Sequence, residues 1–216
     1  MRIALIGKGK MGNELINLAN DQIVAVIENF KYNFLEDNLK IDVIIDFSNR
    51  ENLKYIYEYA KRNKSKVVIA TTNLNELDLK LIKDLSNYTA VMLDSNYSKG
   101  INIIKKIIND NSNLLNNYDI NIIEKHHKEK LDAPSGTAKS IEKIFNNGKI
   151  KYNTISIRGG NINGEHEVLF LGDNEYIELK HVSLSRKIYA LGALEAARWI
   201  MCKEKGLFSY SDCIFY

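Results

Sequence analysis

Hydrophobic and polar positions in the first half of the sequence follow two alternating patterns. Segments 11–20, 52–62 and 75–85 repeat apolar residues three or four positions apart, as on one face of an amphipathic helix. Between them lie short, nearly continuous apolar runs, which are typical of strands buried on both faces. The runs are 2–6, 23–27, 41–46, 66–70 and 89–93. Strands that alternate with helices form βαβ units and predict a doubly wound parallel sheet over residues 1–97.

A change of pattern near residue 97 indicates a second domain. The elements predicted from there on are helices at 98–109, 136–146 and 191–202 and strands at 119–124, 150–157, 165–171 and 175–184. The last two strands alternate apolar and polar residues, and Gly172-Asp173-Asn174 between them suits a hairpin turn. Consecutive strands without helices imply a mixed or antiparallel sheet. We therefore predict an α+β domain over residues 98–189.

Composition and charge exclude several classes of protein. The net charge of +3, from 30 basic and 27 acidic residues, is too balanced for nucleic-acid binding but suits an anionic small molecule. No apolar run approaches the ~20 residues of a membrane span, and Met1-Arg2 leads into the first strand without a signal-peptide pattern. Cys202 and Cys213 lack the spacing of a metal or redox site. We expect a cytoplasmic protein with reduced thiols and with no nucleic-acid or membrane partner.

A glycine-rich loop joins the first strand to the first helix. Gly7-Lys8-Gly9-Lys10-Met11-Gly12 is a complete G-x-G-x-x-G, whose glycines allow a tight turn and close approach to a pyrophosphate at the helix N-terminus. Glu28 ends the second strand, 21 residues after Gly7, where an acid can bind a ribose 2′-hydroxyl. The alternative is a glycine turn with a solvated glutamate. The strand–loop–helix context favours a Rossmann-like dinucleotide site.

Polar and aromatic residues follow three further strands of the predicted parallel sheet. They are Asp46-Phe47-Ser48, Ala70-Thr71-Thr72-Asn73 and Asp94-Ser95-Asn96-Tyr97. Each segment alone fits an ordinary cap or turn equally well. Because the carboxyl ends of parallel strands meet at the edge where such folds bind ligands, their shared position favours a ligand site.

The densest polar cluster spans residues 124–138 and includes Pro134, the only proline in the chain. Ser135, Gly136 and Thr137 enter a helix and would offer backbone amides and hydroxyls to a carboxylate. Lys130 and the pair His126 and His127 add charge, hydrogen bonds and groups that move protons. Singly, these residues fit solvated charges, core histidines or a helix cap. Their clustering within one segment favours an active site.

A metal site and a serine hydrolase are both disfavoured by the same segment. His126 and His127 are adjacent and point apart on a strand, without a clustered cysteine or third histidine, so we expect no metal. Ser135 does not lie in a G-x-S-x-G elbow.

These motifs together resemble the dihydrodipicolinate reductase family. The similarity rests above all on Glu-x-His-His-x-x-Lys-x-Asp-Ala-Pro-Ser-Gly-Thr-Ala, and it extends through Ser95-Asn-Tyr-Ser-Lys-Gly-Ile-Asn, Arg158-Gly-Gly and Gly164-Glu-His to cover nearly the whole chain. The resemblance implies NAD(P)H-dependent reduction of dehydrated 4-hydroxy-tetrahydrodipicolinate to tetrahydrodipicolinate in lysine and diaminopimelate biosynthesis. The hydride would go to ring C4, and a proton to the adjacent carbon.

The resemblance also implies roles for individual residues. His126 would be the catalytic acid/base and Lys130 the proton donor. The implied substrate-carboxylate binders are His127, Ser135, Gly136 and Thr137. The implied cofactor binders are Gly7, Lys8, Gly9, Lys10, Met11, Gly12 and Glu28, with Phe47, Ala70, Thr71, Thr72, Asp94, Ser95, Asn96 and Tyr97 around the nicotinamide. Asn73 replaces a usual glycine, but asparagine tolerates positive φ.

Cofactor choice and assembly are further expectations from the resemblance. Glu28 followed by Asn29, where users of NADPH often carry arginine, favours NADH, while Lys8, Lys10 or Lys31 would leave NADPH possible. The domain at 98–189 would bind the dicarboxylate substrate and build a homotetramer, and a C-terminal helix at about 190–216 would rejoin the dinucleotide-binding domain. The alternatives are an aspartate- or homoserine-type dehydrogenase and a non-catalytic NAD-binding regulator. Retention of His126 and Lys130 argues against the regulator.

Overall fold

The computed structural model describes residues 1–28 and 39–216 and divides into two compact units. Unit 1 comprises Met1–Tyr97 and Lys187–Tyr216, and unit 2 comprises Ser98–Arg186. Asn29 and Lys31, on which part of the cofactor expectation rests, lie outside the described residues. Among the helices of the described ranges, none has the length and apolar character needed to cross a membrane.

Unit 1 contains a six-stranded parallel sheet in the order β10-β5-β4-β3-β1-β2. Its strands are β1 (Ile3–Ile6), β2 (Ile23–Ile27), β3 (Val43–Asp46), β4 (Lys66–Ile69), β5 (Ala90–Leu93) and β10 (Gly206–Phe208). Its helices are α1 (Lys10–Ala19), α2 (Leu53–Asn63), α3 (Glu76–Leu85), α7 (Lys187–Ile200) and α8 (Tyr210–Phe215). This confirms the predicted doubly wound, Rossmann-like sheet.

Each central strand of unit 1 supplies both hydrophobic cores, because successive side chains point to opposite faces. In β1, Ile3 and Leu5 pack into the core shared with α1 and α7, whereas Ala4 and Ile6 face the core shared with α2 and α3. All four residues are fully buried. Burial on both faces explains why these strands appear in the sequence as continuous apolar runs.

Two parts of unit 1 differ from the sequence-based prediction. Strand β2 was predicted to be buried, but it lies at the edge of the sheet, and of its five residues only Ile27 is buried. The C-terminal helix expected at about 190–216 ends at Ile200 and is followed by strand β10 and the separate helix α8, neither of which was predicted as an element of its own. Gly206–Phe208 is too short to show a hydrophobic period, and it becomes a strand by pairing with Ala90–Met92, more than a hundred positions earlier. Such long-range pairing leaves no local signal in the sequence.

Helix α7 begins at Lys187, four residues before the predicted start at Leu191. Gly192 allows it to pack closely on the end of the first segment of unit 1. A Cβ atom at this position would collide with the backbone oxygen of Tyr97. The final segment is thus fitted against the last residue before unit 2.

Unit 2 is a four-stranded mixed sheet in the order β7-β6-β8-β9, covered on one face by helices. Its elements are α4 (Lys99–Asp110), α5 (Ser112–Leu115), β6 (Asp119–His126), α6 (Gly136–Gly148), β7 (Tyr152–Arg158), β8 (Glu165–Leu171) and β9 (Tyr176–Val182). Strands β6 and β7 are parallel, whereas β8 is antiparallel to both β6 and β9. The backbone N–H of Gly172 donates to the oxygen of Glu175 in the predicted hairpin turn.

Strand β6 is two residues longer than predicted, and this extension leads into the candidate site. Burial alternates along the strand, so that Ile120, Ile122, Glu124 and His126 all lie on the face that the helices cover. Ile120 and Ile122 contribute to the core with α4 and α6. Continuing the same face past the core brings a carboxylate and an imidazole side by side in a buried position.

Candidate active site

The glycine loop has two glycines required by packing and one that leaves space. Gly7 has φ of +92°, and a Cβ on it would lie 2.7 Å from the backbone oxygen of Phe47. A Cβ on Gly12 would collide with the backbone oxygen of Gly7. By contrast, a Cβ on Gly9, the N-cap of α1, would meet no atom of the described residues within 4 Å. This open side at a helix N-terminus is suited to the pyrophosphate of a dinucleotide.

The loop lies where the chain order in the sheet reverses. Strand β1 is flanked by β2 on one side and β3 on the other, so β1 and β3 border the switch point at which doubly wound sheets bind ligands. At the end of β2, Glu28 is exposed, and its carboxylate lies 3.2 Å from Nζ of Lys8 in the loop. An acid and a base therefore stand together at the predicted ribose position.

Asp46 connects two of the predicted strand-end segments. Its side chain is fully buried at the end of β3 and accepts hydrogen bonds from Ser48 Oγ (2.5 Å), Ser48 N (3.0 Å) and Thr71 Oγ1 (2.7 Å). Burial raises the pKa of Asp46, although these hydrogen bonds oppose the rise. The Thr71 side chain is buried with its hydroxyl donating to Asp46, whereas Thr72, the next residue, is exposed.

The other predicted cofactor-binding residues are held by a mixture of backbone geometry and burial. Asn73 has φ of +60°, as its predicted role in a tight turn requires. Tyr97 is buried and its hydroxyl donates to the backbone oxygen of Ile69, so its side chain belongs to the core of unit 1. Asp94 accepts from the backbone N–H groups of Asn96 and Tyr210. Phe47 and Ala70 pack partly buried against the same core, and Ser95 is exposed.

The candidate site of unit 2 is centred on Glu124, which has no exposed surface. Its Oε2 accepts from His126 Nδ1 (2.5 Å) and Arg158 Nη1 (2.9 Å), and its Oε1 accepts from Arg158 Nη2 (2.6 Å) and Ser135 N (3.3 Å). Burial alone would raise the pKa of Glu124, but hydrogen bonds from Arg158, Ser156 and His126 outweigh it and lower that pKa to about 2. Glu124 is therefore an anion at neutral pH.

His126 is a neutral imidazole, and its Nδ1–H donates a hydrogen bond to Glu124. Burial lowers the pKa of His126, and the neighbouring carboxylate of Glu124 opposes this only in part. With Nδ1 engaged, Nε2 carries the free lone pair. The ring of His166 lies edge-on to that of His126, with centroids 5.2 Å apart.

The loop after β6 is attached to the same carboxylate through Arg158. Nη2 of Arg158 donates to the backbone oxygen of Asp132 at 2.6 Å, in addition to its bond to Glu124. Lys130 donates from Nζ to the Asp132 carboxylate at 2.7 Å. Burial would raise the pKa of Asp132, but the hydrogen bond from Lys130 outweighs it and lowers that pKa. The peptide bond between Ala133 and Pro134 is cis.

Ser135 begins helix α6 and joins it to the sheet. Its Oγ accepts from the backbone N–H of Ala138 and bonds with Nε2 of His166 at 3.1 Å. Burial, with a smaller contribution from the nearby His126, lowers the pKa of His166 to about 3, so this ring is neutral. Gly136 and Thr137 are the first two residues of the helix, so their amides lie at its positive end. Nδ1 of His127 is buried and has no hydrogen-bond partner among the described residues.

The structure groups the predicted residues by unit. In unit 1 the glycine loop, Glu28 and the three strand-end segments follow neighbouring parallel strands. In unit 2, His126 ends β6, His127 and Lys130 lie in the loop after it, and residues 135–137 form the start of α6. Arg158 and His166 matched the family motif in the sequence but were given no role, and the same is true of Glu124 and Asp132. For Glu124 a signal existed, since a residue two positions before His126 on a strand shares its face.

Three of the four histidines of unit 2 have hydrogen-bond partners among the described residues. Within residues 1–28 and 39–216, no three His, Cys, Asp or Glu side chains converge as metal ligands would. The four histidines all lie in unit 2, and the partners that three of them have are a carboxylate and two serine hydroxyls. The two serines, Ser98 and Ser135, also cap α4 and α6 by accepting backbone N–H groups.

Comparison with known proteins gives matches along the whole chain. Residues 1–97 match the family model described as dihydrodipicolinate reductase, N-terminus, and residues 100–214 match that of its C-terminus. A 4-hydroxy-tetrahydrodipicolinate reductase from Clostridium novyi (strain NT) is 40% identical, with 95% of this chain and 94% of the relative covered. The enzyme of the same name from Wigglesworthia glossinidia brevipalpis is 44% identical, with 91% and 76% covered.

The fold also matches a solved structure of similar name. Dipicolinate-bound dihydrodipicolinate reductase from Paenisporosarcina sp. TG-14 superposes with a TM-score of 0.77, at 22% identity and with 97% of both chains covered. At this identity the likeness concerns the fold, namely the six-stranded parallel sheet of unit 1 and the mixed sheet of unit 2.

Substitutions in the glycine loop should separate packing from ligand approach. We expect Gly12→Ala to destabilise unit 1 by about 1–3 kcal/mol, because its Cβ would collide with the Gly7 backbone. Gly9→Ala has open space and should leave stability unchanged, yet it should weaken NADH binding by about tenfold by obstructing the pyrophosphate. Urea unfolding followed by the fluorescence of Trp199, the only tryptophan, reports on unit 1, and NADH titration reports binding. Unchanged NADH affinity in Gly9→Ala would place the dinucleotide elsewhere.

Proposed function

Because this chain belongs to the dihydrodipicolinate reductase family, we propose that unit 1 holds a reduced nicotinamide dinucleotide and unit 2 holds the cyclic dicarboxylate that it reduces. The chain is an oxidoreductase with 4-hydroxy-tetrahydrodipicolinate reductase activity, and it uses NAD(P)H. Both family models assign it here rather than to the aspartate or homoserine dehydrogenases. As in the family it resembles, we expect a cytoplasmic enzyme of lysine and diaminopimelate biosynthesis.

The substrate site is proposed at the start of α6. A carboxylate there would receive the amides of Gly136 and Thr137 and the hydroxyl of Thr137, with His127 and Lys130 beside it. The unpartnered, buried Nδ1 of His127 supports this placement, because a buried polar atom without a partner calls for one. The dipicolinate named with the Paenisporosarcina relative is itself a cyclic dicarboxylate. It supports the chemical class of the substrate.

The proposed reaction transfers a hydride from the nicotinamide to ring C4 and a proton to the adjacent carbon. The ammonium of Lys130 has three donor protons, and its bond to Asp132 leaves two for the substrate. His126 is neutral with Nε2 unprotonated, so it can accept and return a proton. The observation that carries the assignment is that one buried carboxylate, Glu124, holds both His126 and the start of α6.

Reductase activity should depend on His126 and Lys130 and not on the exposed Lys128 between them. We expect the purified protein to oxidise NADH when supplied with the condensation product of pyruvate and aspartate semialdehyde. His126→Ala and Lys130→Ala should each lower kcat by about 100-fold or more, with NADH affinity unchanged, because general acid–base catalysis contributes that much. Lys128→Ala removes an exposed lysine of the same loop and serves as the control. A wild-type protein inactive with both NADH and NADPH would contradict the proposal.

The proposed cofactor preference is for NADH, with NADPH also used. Glu28 at the end of β2 is exposed and can accept from both ribose hydroxyls, and it would repel a 2′-phosphate. Lys8 lies 3.2 Å from the same carboxylate, so a cation stands beside the position of that phosphate. This pair supports a preference that is not absolute.

Glu28→Ala should shift the balance between the two cofactors. We expect the KM for NADH to rise by about tenfold, since a hydrogen bond to a charged group contributes about 1.5 kcal/mol. The KM for NADPH should fall, because the negative charge beside its phosphate is removed. Asp21→Ala, at the opposite end of β2, is the matched control. Equal effects of both substitutions would remove Glu28 from the ribose site.

A homotetramer built through the outer face of the unit 2 sheet is also proposed. Ile155 and Ile157 on β7 are 47% and 43% exposed, and Tyr176 and Val182 on β9 are 66% and 45% exposed. Exposed apolar groups concentrated on one face mark interaction surfaces. Between them lies an ion-pair cluster in which Lys125 contacts Glu165 and Lys180 contacts both Glu165 and Glu167.

The oligomeric state is directly measurable. Light scattering after size exclusion should give about four times the 24.7 kDa of one chain, an arrangement common among symmetric oligomers. The double substitution Ile155→Asp with Ile157→Asp should yield smaller species, because it places charges in an apolar interface. Leu79→Asp, at 45% exposure on α3, tests a matched apolar position outside that face. A monomeric wild-type protein would refute the tetramer.

A further inference from the structure

Glu124 is a fully buried carboxylate to which neither the hydride nor the proton transfer assigns a task. Besides a hydrogen bond from Ser156 on β7, the bonds that it accepts come from parts of the candidate site. Its Oε2 takes the Nδ1 proton of His126, its Oε1 takes the backbone N–H of Ser135, and Arg158 bridges both oxygens. A carboxylate in this position is connected to three separate chain segments at once.

Stability alone is a weak reason for such a group. Removing a carboxylate and a guanidinium from water is costly, and well-packed apolar residues often serve a core as well or better. In this unit an apolar core is already present nearby, formed by residues such as Ile122 and Val168 on the same sheet face. The partners of Glu124 therefore indicate a role in the site rather than in the core.

We propose that Glu124 is the positioning residue of the reductase site. It holds His126 in one tautomer, and through Arg158 and Ser135 it fixes the positions of the Lys130 loop and of the start of α6 relative to His126. This inference rests on the proposed function of the site. Glu124 does not touch the substrate in this scheme. It acts by orienting the groups that do.

The tautomer follows from the contact between Glu124 and His126. A carboxylate can only accept, so Nδ1 of His126 must donate, and Nε2 is then free for the reacting molecule. The charged and titratable groups that face His126 are Glu124 on β6, Arg158 on β7, His166 on β8 and Lys130 on the following loop. Of these, Glu124 alone among the described groups favours the imidazolium, whereas Arg158 and Lys130 disfavour it.

The position of the loop after β6 depends on Arg158, which contacts both Glu124 and the loop. Its Nη2 donates to Glu124 and also to the backbone oxygen of Asp132, whose carboxylate receives Lys130. Glu124 thereby aligns the guanidinium that anchors the turn before Pro134. The Ser135 N–H bond then fixes the first residue of the helix end. The carboxylate of Glu124 thus determines how far His126 and Lys130 lie from the start of α6, where the substrate carboxylate is proposed to bind.

Glu124→Gln tests the proposal with a readout that a purely structural role would not move. In protein labelled with ¹⁵N-histidine, long-range NMR correlations should show His126 of the wild type with Nδ1 protonated. In Glu124→Gln the population should shift toward the Nε2 tautomer, and the pKa of His126 should fall because the favourable carboxylate is gone. We expect kcat to drop about 10- to 100-fold, the range seen when a group that orients a functional histidine is removed. NADH affinity should stay within about twofold, since the cofactor residues lie in unit 1.

Two further variants complete the design. Glu142→Gln makes the same change on α6, where Glu142 accepts only the Thr154 hydroxyl among its described contacts, and it should leave kcat and the His126 signals unchanged. Arg158→Lys keeps the charge but loses the planar fork to Asp132 and Glu124. It should raise the substrate KM while His126 keeps its Nδ1 proton.

Defined results would overturn the positioning role. One such result is a wild-type tautomer and a wild-type kcat in Glu124→Gln. Another is a loss of activity with unchanged His126 signals, which would mean that Glu124 only links β6 to β7. If Glu124→Gln fails to fold, a wild-type KM in Arg158→Lys would be decisive against the proposal. Failure of the proposed function is distinguishable, because the wild type would then lack turnover while the tautomer measurement in apo protein would stand.

Discussion

The buried ion pair between Glu124 and Arg158 is the interaction on which the arrangement of unit 2 depends. An unpaired charge in this position would be strongly destabilising, so each partner requires the other. The guanidinium contacts both oxygens of Glu124 and still reaches the backbone of Asp132, and the carboxylate still accepts from His126 and Ser135. One hydrogen-bond network thus joins β6, β7, the loop after β6 and helix α6. The candidate catalytic groups are attached to this network.

Unit 1 contains a second buried carboxylate, whose surroundings shift its pKa in the opposite direction. Asp46 is satisfied by hydroxyl and amide donors from Ser48 and Thr71, and burial raises its pKa, whereas the guanidinium beside Glu124 keeps that carboxylate ionised. Asp46 ends β3 and Glu124 lies two residues before the end of β6, and each connects its strand to a neighbouring segment. In unit 1 the connection joins two turns, while in unit 2 the carboxylate that Arg158 keeps ionised accepts from a histidine. The environment of each carboxylate therefore matches the chemistry proposed for its unit.

Local patterns predicted the central strands and the glycine loop because burial on both faces and tight turns impose strict residue choices. The prediction was wrong for β2, whose apolar run resembles a buried strand although the strand lies at the sheet edge, and β10 and α8 were not predicted. In the candidate site, His126 and Lys130 stood out by residue type and spacing. Glu124 had the right spacing, but its importance depends on Arg158, which lies 34 positions later and pairs with His126 across the sheet.

By itself, the sequence determined the order of elements, the dinucleotide loop and the membership of a reductase family, because periodicity, glycine positions and a dense motif are local properties of the chain. The tertiary structure alone decided which residues share a buried environment. It turned the Thr71 and Tyr97 side chains inward, left Gly9 open and surrounded Glu124 with donors from three segments. The physical reason is that burial, proton positions and pKa values depend on neighbours brought together through space, whose distances along the chain carry no such information.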